Sequence, residues 1–156
     1  MNLNKLFHLQ KNLDKTLINQ RNLSNENLYS QKTLALQVQF GELAGKTRCF
    51  NYWNNEVQCE RNAILKEYIN CLHFILSIGL DKEYIEFNLP DSSFSPNMVD
   101  QFLGLFIDIN DFVICSSKDN YITLFQDFIN LGKNLGFDDS EIENEYIEKT
   151  ELIRQM

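Results

Sequence analysis

The sequence predicts an all-α fold, a helical bundle of five or six helices, and three observations point there. Apolar residues recur at three- and four-residue spacing through most of the 156-residue chain. Strand-like alternation is confined to one short stretch, Tyr84 to Leu89. Polar or glycine-containing breaks separate the periodic segments at helix-length intervals.

The elements follow in order. Leu3, Leu6, Phe7, Gln10, Leu13, Asp14 and Leu17 share helical spacing, so residues 2–21 read as an amphipathic helix. The Asn-rich stretch 22–27 reads as a loop. A second helix is expected over 29–46, with Leu34, Leu36, Val38, Phe40 and Leu43 as its apolar bulk. "RCFNYWNNEVQ" interrupts the periodicity. A third helix runs from Arg61 to Ile78, with Gly79 as its stop signal, and Leu65, Ile69, Leu72, Phe74 and Ile75 are its core candidates. "LPDSSFSPNMVD" holds both prolines and reads as a connector. Within it, Ser95 and Pro96 read as N-cap and first-turn proline of a helix reaching Cys115. "SSKDN" breaks the chain again. Tyr121 to Leu135 forms a fifth helix stopped by Gly136, and Asp138 to Ser140 caps a sixth that reaches the C-terminus. Nothing divides the chain, so residues 1–156 are expected to form a single domain.

Composition narrows the function classes. Hydrophobic residues make up 44% of the chain, enough for a packed core. Fourteen basic against 22 acidic residues leave a net charge of −8, which argues against a nucleic-acid partner. The four cysteines, Cys49, Cys59, Cys71 and Cys115, have no C-x-x-C spacing, and they are expected to be reduced thiols acting mostly as small hydrophobes. The longest uncharged apolar run, Asn70 to Leu80, is too short to span a bilayer, and no leader is visible. A soluble cytoplasmic protein with no membrane partner is expected.

Two polar stripes mark candidate chemistry. On the second helix Gln39, Glu42 and Lys46 share one face. The third helix is apolar around most of its circumference, yet Glu67, Asn70, His73 and Ser77 line one side. A carboxylate on so apolar a helix needs a partner, a metal or a proton. Consecutive helices usually pack antiparallel, which would bring the stripes face to face. Four carboxylates on such facing helices, spaced E-x-x-E and E-x-x-D, would make a Mg²⁺ site.

The stretches "LFHLQKNLDKTL", "LALQVQFGELAGKTRCFNYW", "EYINCLHFILSIGL", "LGKNLGF" and "EIENEYIEKTEL" occur in an order that resembles the all-α dimeric dUTPases, part of the MazG-like all-α NTP pyrophosphatase group. The resemblance spans nearly the whole chain. It implies a homodimer that splits dUTP into dUMP and pyrophosphate using Mg²⁺ held by E-x-x-E and E-x-x-D pairs. It further implies acidic residues at positions 39, 42, 46, 67 and 70. Here these are Gln39, Glu42, Lys46, Glu67 and Asn70, so only Glu42 and Glu67 remain as catalytic metal-binding remnants. Amide oxygens lack the charge that holds a small dication, and Lys46 repels one. Glu60, seven residues before Glu67, is the one nearby acid that would restore a ligand if the third helix began early.

Other positions match. Gln10 and Asp14 match the first-helix motif in which the family's Gln helps read uracil. Phe50 and Trp53 match its aromatic segment, and His73 and Phe74 match the "LHF" beside its base pocket. Lys149 persists from the C-terminal substrate motif, but Thr150 replaces the following Asn, and the ending is a shortened "LIRQM". The resemblance therefore implies a nucleotide site at Gln10, Asp14, Lys46, Trp53, His73, Phe74, Lys149 and Thr150. Three readings stand. The first is a pyrimidine-nucleotide-binding pseudoenzyme with no cofactor. The second is a working Mg²⁺-dependent dUTP or dNTP diphosphatase. The third is a protein-interaction module on a vestigial dUTPase fold.

Overall fold

A computed structural model describes residues 1–91 and 95–156. Ser92, Ser93 and Phe94, within the expected connector, lie outside the described residues. Six helices follow in order: α1 (Leu3–Gln20), α2 (Tyr29–Thr47), α3 (Arg61–Asp81), α4 (Met98–Ile114), α5 (Lys118–Asn134) and α6 (Asp139–Gln155). Among the described residues there is no strand, and Tyr84 to Leu89 is irregular chain rather than an alternating element.

Helix α3 is the centre. It packs against α1, α2, α5 and α6, while α4 rests on α2 and α5, and α1 on α6. It is the one helix among the described residues long and apolar enough to cross a bilayer, yet most of it is buried inside the fold. Leu65, Ile69, Leu72 and Ile75 lie in the core as expected. Each such side chain contributes about 1.5–3 kcal/mol through burial. Phe74 departs from that expectation, being only partly buried at the edge of the core.

Three boundaries also differ. Gly79 does not stop α3, which continues to Asp81. A Cβ there would overlap the Tyr121 hydroxyl, which donates to the Ile75 carbonyl at 2.8 Å. The glycine marks a close helix–helix approach, not an end. The cap of α4 is Asn97, whose side chain accepts from the Asp100 amide at 3.1 Å. Ser95 lies outside the helix and accepts from the Asn97 amide. Helix α5 begins at Lys118 because Ser117 caps it, accepting from the Asn120 amide at 3.1 Å.

Other signals behave as read. Gly136 follows α5 with φ +84, the left-handed conformation favoured by glycine. Asp138 and Glu141 form a reciprocal capping box on α6. Arg61 clamps that box to the start of α3, its guanidinium donating to both Glu141 carboxylate oxygens at 2.6 and 2.9 Å. This hydrogen bonding holds the Glu141 carboxyl down at about 2. Cys71 is buried and Cys49 and Cys59 are partly so, while Cys115 is exposed.

Candidate nucleotide site in the α2–α3 groove

The two polar stripes do face one another. Lys46 Nζ, from α2, lies 3.8 Å from Glu67 Oε2, on α3. Asn70, one turn after Glu67, donates its side-chain amide to Glu67 Oε1 at 3.1 Å. Glu67 is only 7% exposed, so this buried carboxylate has a partner on each oxygen, one of them a cation. Glu42 is exposed to solvent, and Gln39 is half-buried beside it on α2. Lys149, on α6, lies within electrostatic reach of Glu67, Cys71 and Glu145. Its own burial lowers its proton affinity, and those neighbours oppose the shift.

A small hard dication needs several oxygen ligands and their negative charge. Here the ammonium of Lys46 occupies the carboxylate's flank, and a neutral amide takes its other oxygen. Glu60 does not restore a ligand, because α3 begins after it and its side chain is exposed. Among the described residues no group of three or more His, Cys, Asp or Glu is arranged to hold a metal ion. This donor set does not fit Mg²⁺.

Farther along the groove the arrangement changes. A cavity of about 560 Å³ opens between α1, α2 and α3, lined by Asp14, Leu17, Ile18, Arg21, Leu23, Leu28, Gln31, Lys32, Ala35, His73, Phe74 and Ser77. Five aliphatic side chains and the ring of Phe74 form its apolar face, and six polar side chains converge on it. That is the usual make-up of a small-molecule site.

Asp14 is the polar centre. Gln10 Nε2 donates to its Oδ1 at 2.7 Å, and Ser77 Oγ donates to its Oδ2 at 2.7 Å. Lys32 Nζ is 4.0 Å from Oδ2 and pairs more closely with Asp81, at 2.8 Å. Burial raises the Asp14 proton affinity, while Ser77, Lys32 and Gln10 hold it down. His73 lies on the same wall. Burial, reinforced by Lys149 and Lys32, lowers its pKa to about 4, so the imidazole is neutral at pH 7. It can donate from one ring nitrogen and accept at the other.

Asp14, His73 and Phe74 therefore meet on one cavity, whereas other expected nucleotide-binding residues are placed differently. Gln10 is 0% exposed and off the cavity wall; its Oε1 accepts from the Tyr146 hydroxyl, so it orients Asp14 from behind. Thr150 is buried, with its hydroxyl donating to the Tyr146 carbonyl at 2.8 Å. Trp53 sits outside the groove, 61% exposed and packed on Phe50 and Tyr52. It is carried on a segment closed by the Arg48–Glu56 ion pair at 2.7 Å and by the Cys59 amide, which donates to the Lys46 carbonyl.

The wall also carries three polar residues that no sequence motif marks, Arg21, Gln31 and Lys32. The i, i+4 pair Gln10 and Asp14 was a legible signal for a buried acceptor, but no local pattern pairs Asp14 with Lys32 across the loop. Comparison with curated proteins found no match. A dUTPase family model matches residues 2–156, essentially the whole chain, and its all-α architecture agrees with the six helices; the chain belongs to the all-α dimeric dUTPase family.

Proposed function

We propose that this single-domain protein binds a pyrimidine deoxynucleotide in the α1–α2–α3 cavity and has lost Mg²⁺-dependent hydrolysis. The observation that carries this reading is the Lys46–Glu67 contact at 3.8 Å, where the family would hold a dication between carboxylates. A fixed ammonium neutralises one carboxylate without polarising a phosphate or activating water as a metal does. The recognition end supports binding: Asp14 is held as an acceptor, His73 is neutral, and Phe74 offers a ring face within a largely apolar cavity.

A thermal-shift and turnover panel across the deoxynucleotides, with and without Mg²⁺, tests it. Pyrimidine nucleotides should stabilise the fold without metal, by the mass action of a ligand bound to the native state. Turnover of dUTP should stay at background in millimolar Mg²⁺. Robust Mg²⁺-dependent turnover would establish the diphosphatase reading, and absence of any nucleotide effect would leave the interaction-module reading.

A homodimer is part of the proposal. Leu103, Phe106 and Ile107 on α4 and Leu34 and Val38 on α2 expose apolar side chains on helices that pack together. Family membership supplies the expected occupant, a second copy. Sedimentation showing only monomer at micromolar concentration would remove this part.

A further inference from the structure

Two cations of the groove, Lys32 and Lys46, are paired with this chain's own carboxylates. Lys46 lies 3.8 Å from Glu67, and Lys32 lies 2.8 Å from Asp81 and 4.0 Å from Asp14. Lys149 lies within electrostatic reach of Glu67 and Glu145. Glu42 adds a further carboxylate near this end, within reach of Cys71. Arg48, beside Glu42 and Lys46, is neutralised by Glu56 at 2.7 Å, so Lys46 and Lys149 are outnumbered by Glu42, Glu67 and Glu145. At the cavity end Lys32 and Arg21 balance Asp14 and Asp81, and Arg21 is in no ion pair among the described residues. His73 is neutral and adds no charge.

We propose that the site accepts a pyrimidine nucleoside carrying at most one phosphate and rejects the triphosphate. This deepens the proposed function and rests on its assignment of the cavity. A terminal phosphate brings about two negative charges at neutral pH, and a triphosphate roughly doubles that. Arg21 is the cation left over for a single phosphate at the cavity wall. Along α3, Glu67 lies six residues before His73, about 9 Å along the helix axis. A polyphosphate tail running from the cavity toward α3's first turns would meet a region with no net positive charge and no metal. The Lys46–Glu67 pair thus removes the reaction centre and also filters ligands by charge.

Calorimetry in EDTA tests this with deoxyuridine, dUMP and the non-hydrolysable imido analogue of dUTP, on the full chain and on Glu67→Gln. The substitution keeps an oxygen that accepts from Asn70 and releases Lys46. In the unmodified protein the triphosphate analogue should bind at least about tenfold more weakly than dUMP, a difference that converts to about 1.4 kcal/mol. In Glu67→Gln the analogue should tighten about fivefold or more while deoxyuridine stays within about twofold. Should the variant fail to fold, salt supplies the same sign. Screening relieves repulsion, so the analogue's affinity for the unmodified protein should rise between low and moderate ionic strength. Equal or tighter metal-free binding of the triphosphate analogue overturns the proposal while leaving the proposed function standing, as does weakening in Glu67→Gln or affinity that falls with salt. If neither deoxyuridine nor dUMP binds, both fall together.

Discussion

The two ends of the α2–α3 groove each hold a carboxylate away from water, and each provides it with different partners. Asp14 accepts from two neutral donors, Gln10 and Ser77, with Lys32 at 4.0 Å. Glu67 has a neutral donor on one oxygen and an ammonium 3.8 Å from the other. A carboxylate fixed by neutral donors keeps its charge and its acceptor character for a ligand. One facing a lysine has lost the room and the field that a dication needs. One groove therefore keeps a recognition surface where α1 supplies Asp14 and closes a metal position where α2 supplies Lys46.

The largest effect should come from making the second end resemble a metal site. The combined change Gln39→Glu, Lys46→Glu and Asn70→Asp removes the internal cation and adds three carboxylates. Mg²⁺ affinity by calorimetry should rise by about a hundredfold or more. Single changes should do far less, because ligands that act as a unit are not additive. Unchanged Mg²⁺ affinity in the triple variant would show that the contrast lies in backbone placement instead of charge. Recovered turnover is a weaker readout, since Thr150 is buried against Tyr146 and does not face the groove.

The next effect concerns the scaffold under the cavity end. Gly79→Ala would drive a Cβ into the Tyr121 hydroxyl and disturb its bond to the Ile75 carbonyl. Overpacking of this kind costs about 2–3 kcal/mol, read as a lower urea midpoint at unchanged m. Tyr121→Phe in the same background should recover part of that loss by removing the clashing oxygen. Gly41→Ala in α2, where a Cβ meets nothing, should be neutral or slightly stabilising.

That glycine also shows what could be read before the fold was known. Helical periodicity located all six helices, because each has an apolar face wide enough to register at 3.6-residue spacing. Gly79 reads as a stop because a glycine near the end of a periodic segment usually is one, whereas its role depends on Tyr121, far away in sequence. Ser117 capped α5 earlier than expected because the first turn, Lys118 to Asn120, is polar and carries no apolar signal. In the site, the pairing of Lys46 with Glu67 was implicit in the facing stripes. The burial of Gln10 against Tyr146 was not, since it joins α1 to α6 and no local pattern records that contact. Phe74 divides the two kinds of signal: α3 is apolar nearly all round, so periodicity puts Phe74 in the core, whereas the family resemblance puts it beside a pocket.

His73 sharpens the comparison through pH. Its folded pKa of about 4 lies below the ordinary 6.5, chiefly through burial. Between those values the unfolded chain binds the extra proton, so this residue's contribution is complete above pH 6.5 and is lost as pH falls toward 4. The loss should reach about 2 kcal/mol, because the ring is only partly shielded. Urea titrations across that window should show a shallower pH dependence in His73→Asn than in the unmodified chain. Parallel curves would mean that the ring is solvated and does not serve as a neutral donor and acceptor in the cavity.

The smallest effect isolates the Asp14 cluster. Ser77→Ala removes the donor 2.7 Å from Asp14 Oδ2 and leaves the rest of the α3 wall in place. A hydrogen bond to a charged acceptor is worth about 1.5 kcal/mol, more than one to a neutral acid. Ser77 holds the Asp14 proton affinity down against burial, so its loss should raise it further. A carboxyl whose folded pKa is raised costs stability as pH rises through the window between its unfolded and folded values. The penalty of Ser77→Ala should therefore be smallest in acid, where Asp14 is protonated in both proteins, and grow as pH rises toward neutrality. A penalty independent of pH would mean that Ser77 contributes packing alone. The contrast between a carboxylate held by neutral donors and one held by a lysine would then rest on Gln10 at the cavity end.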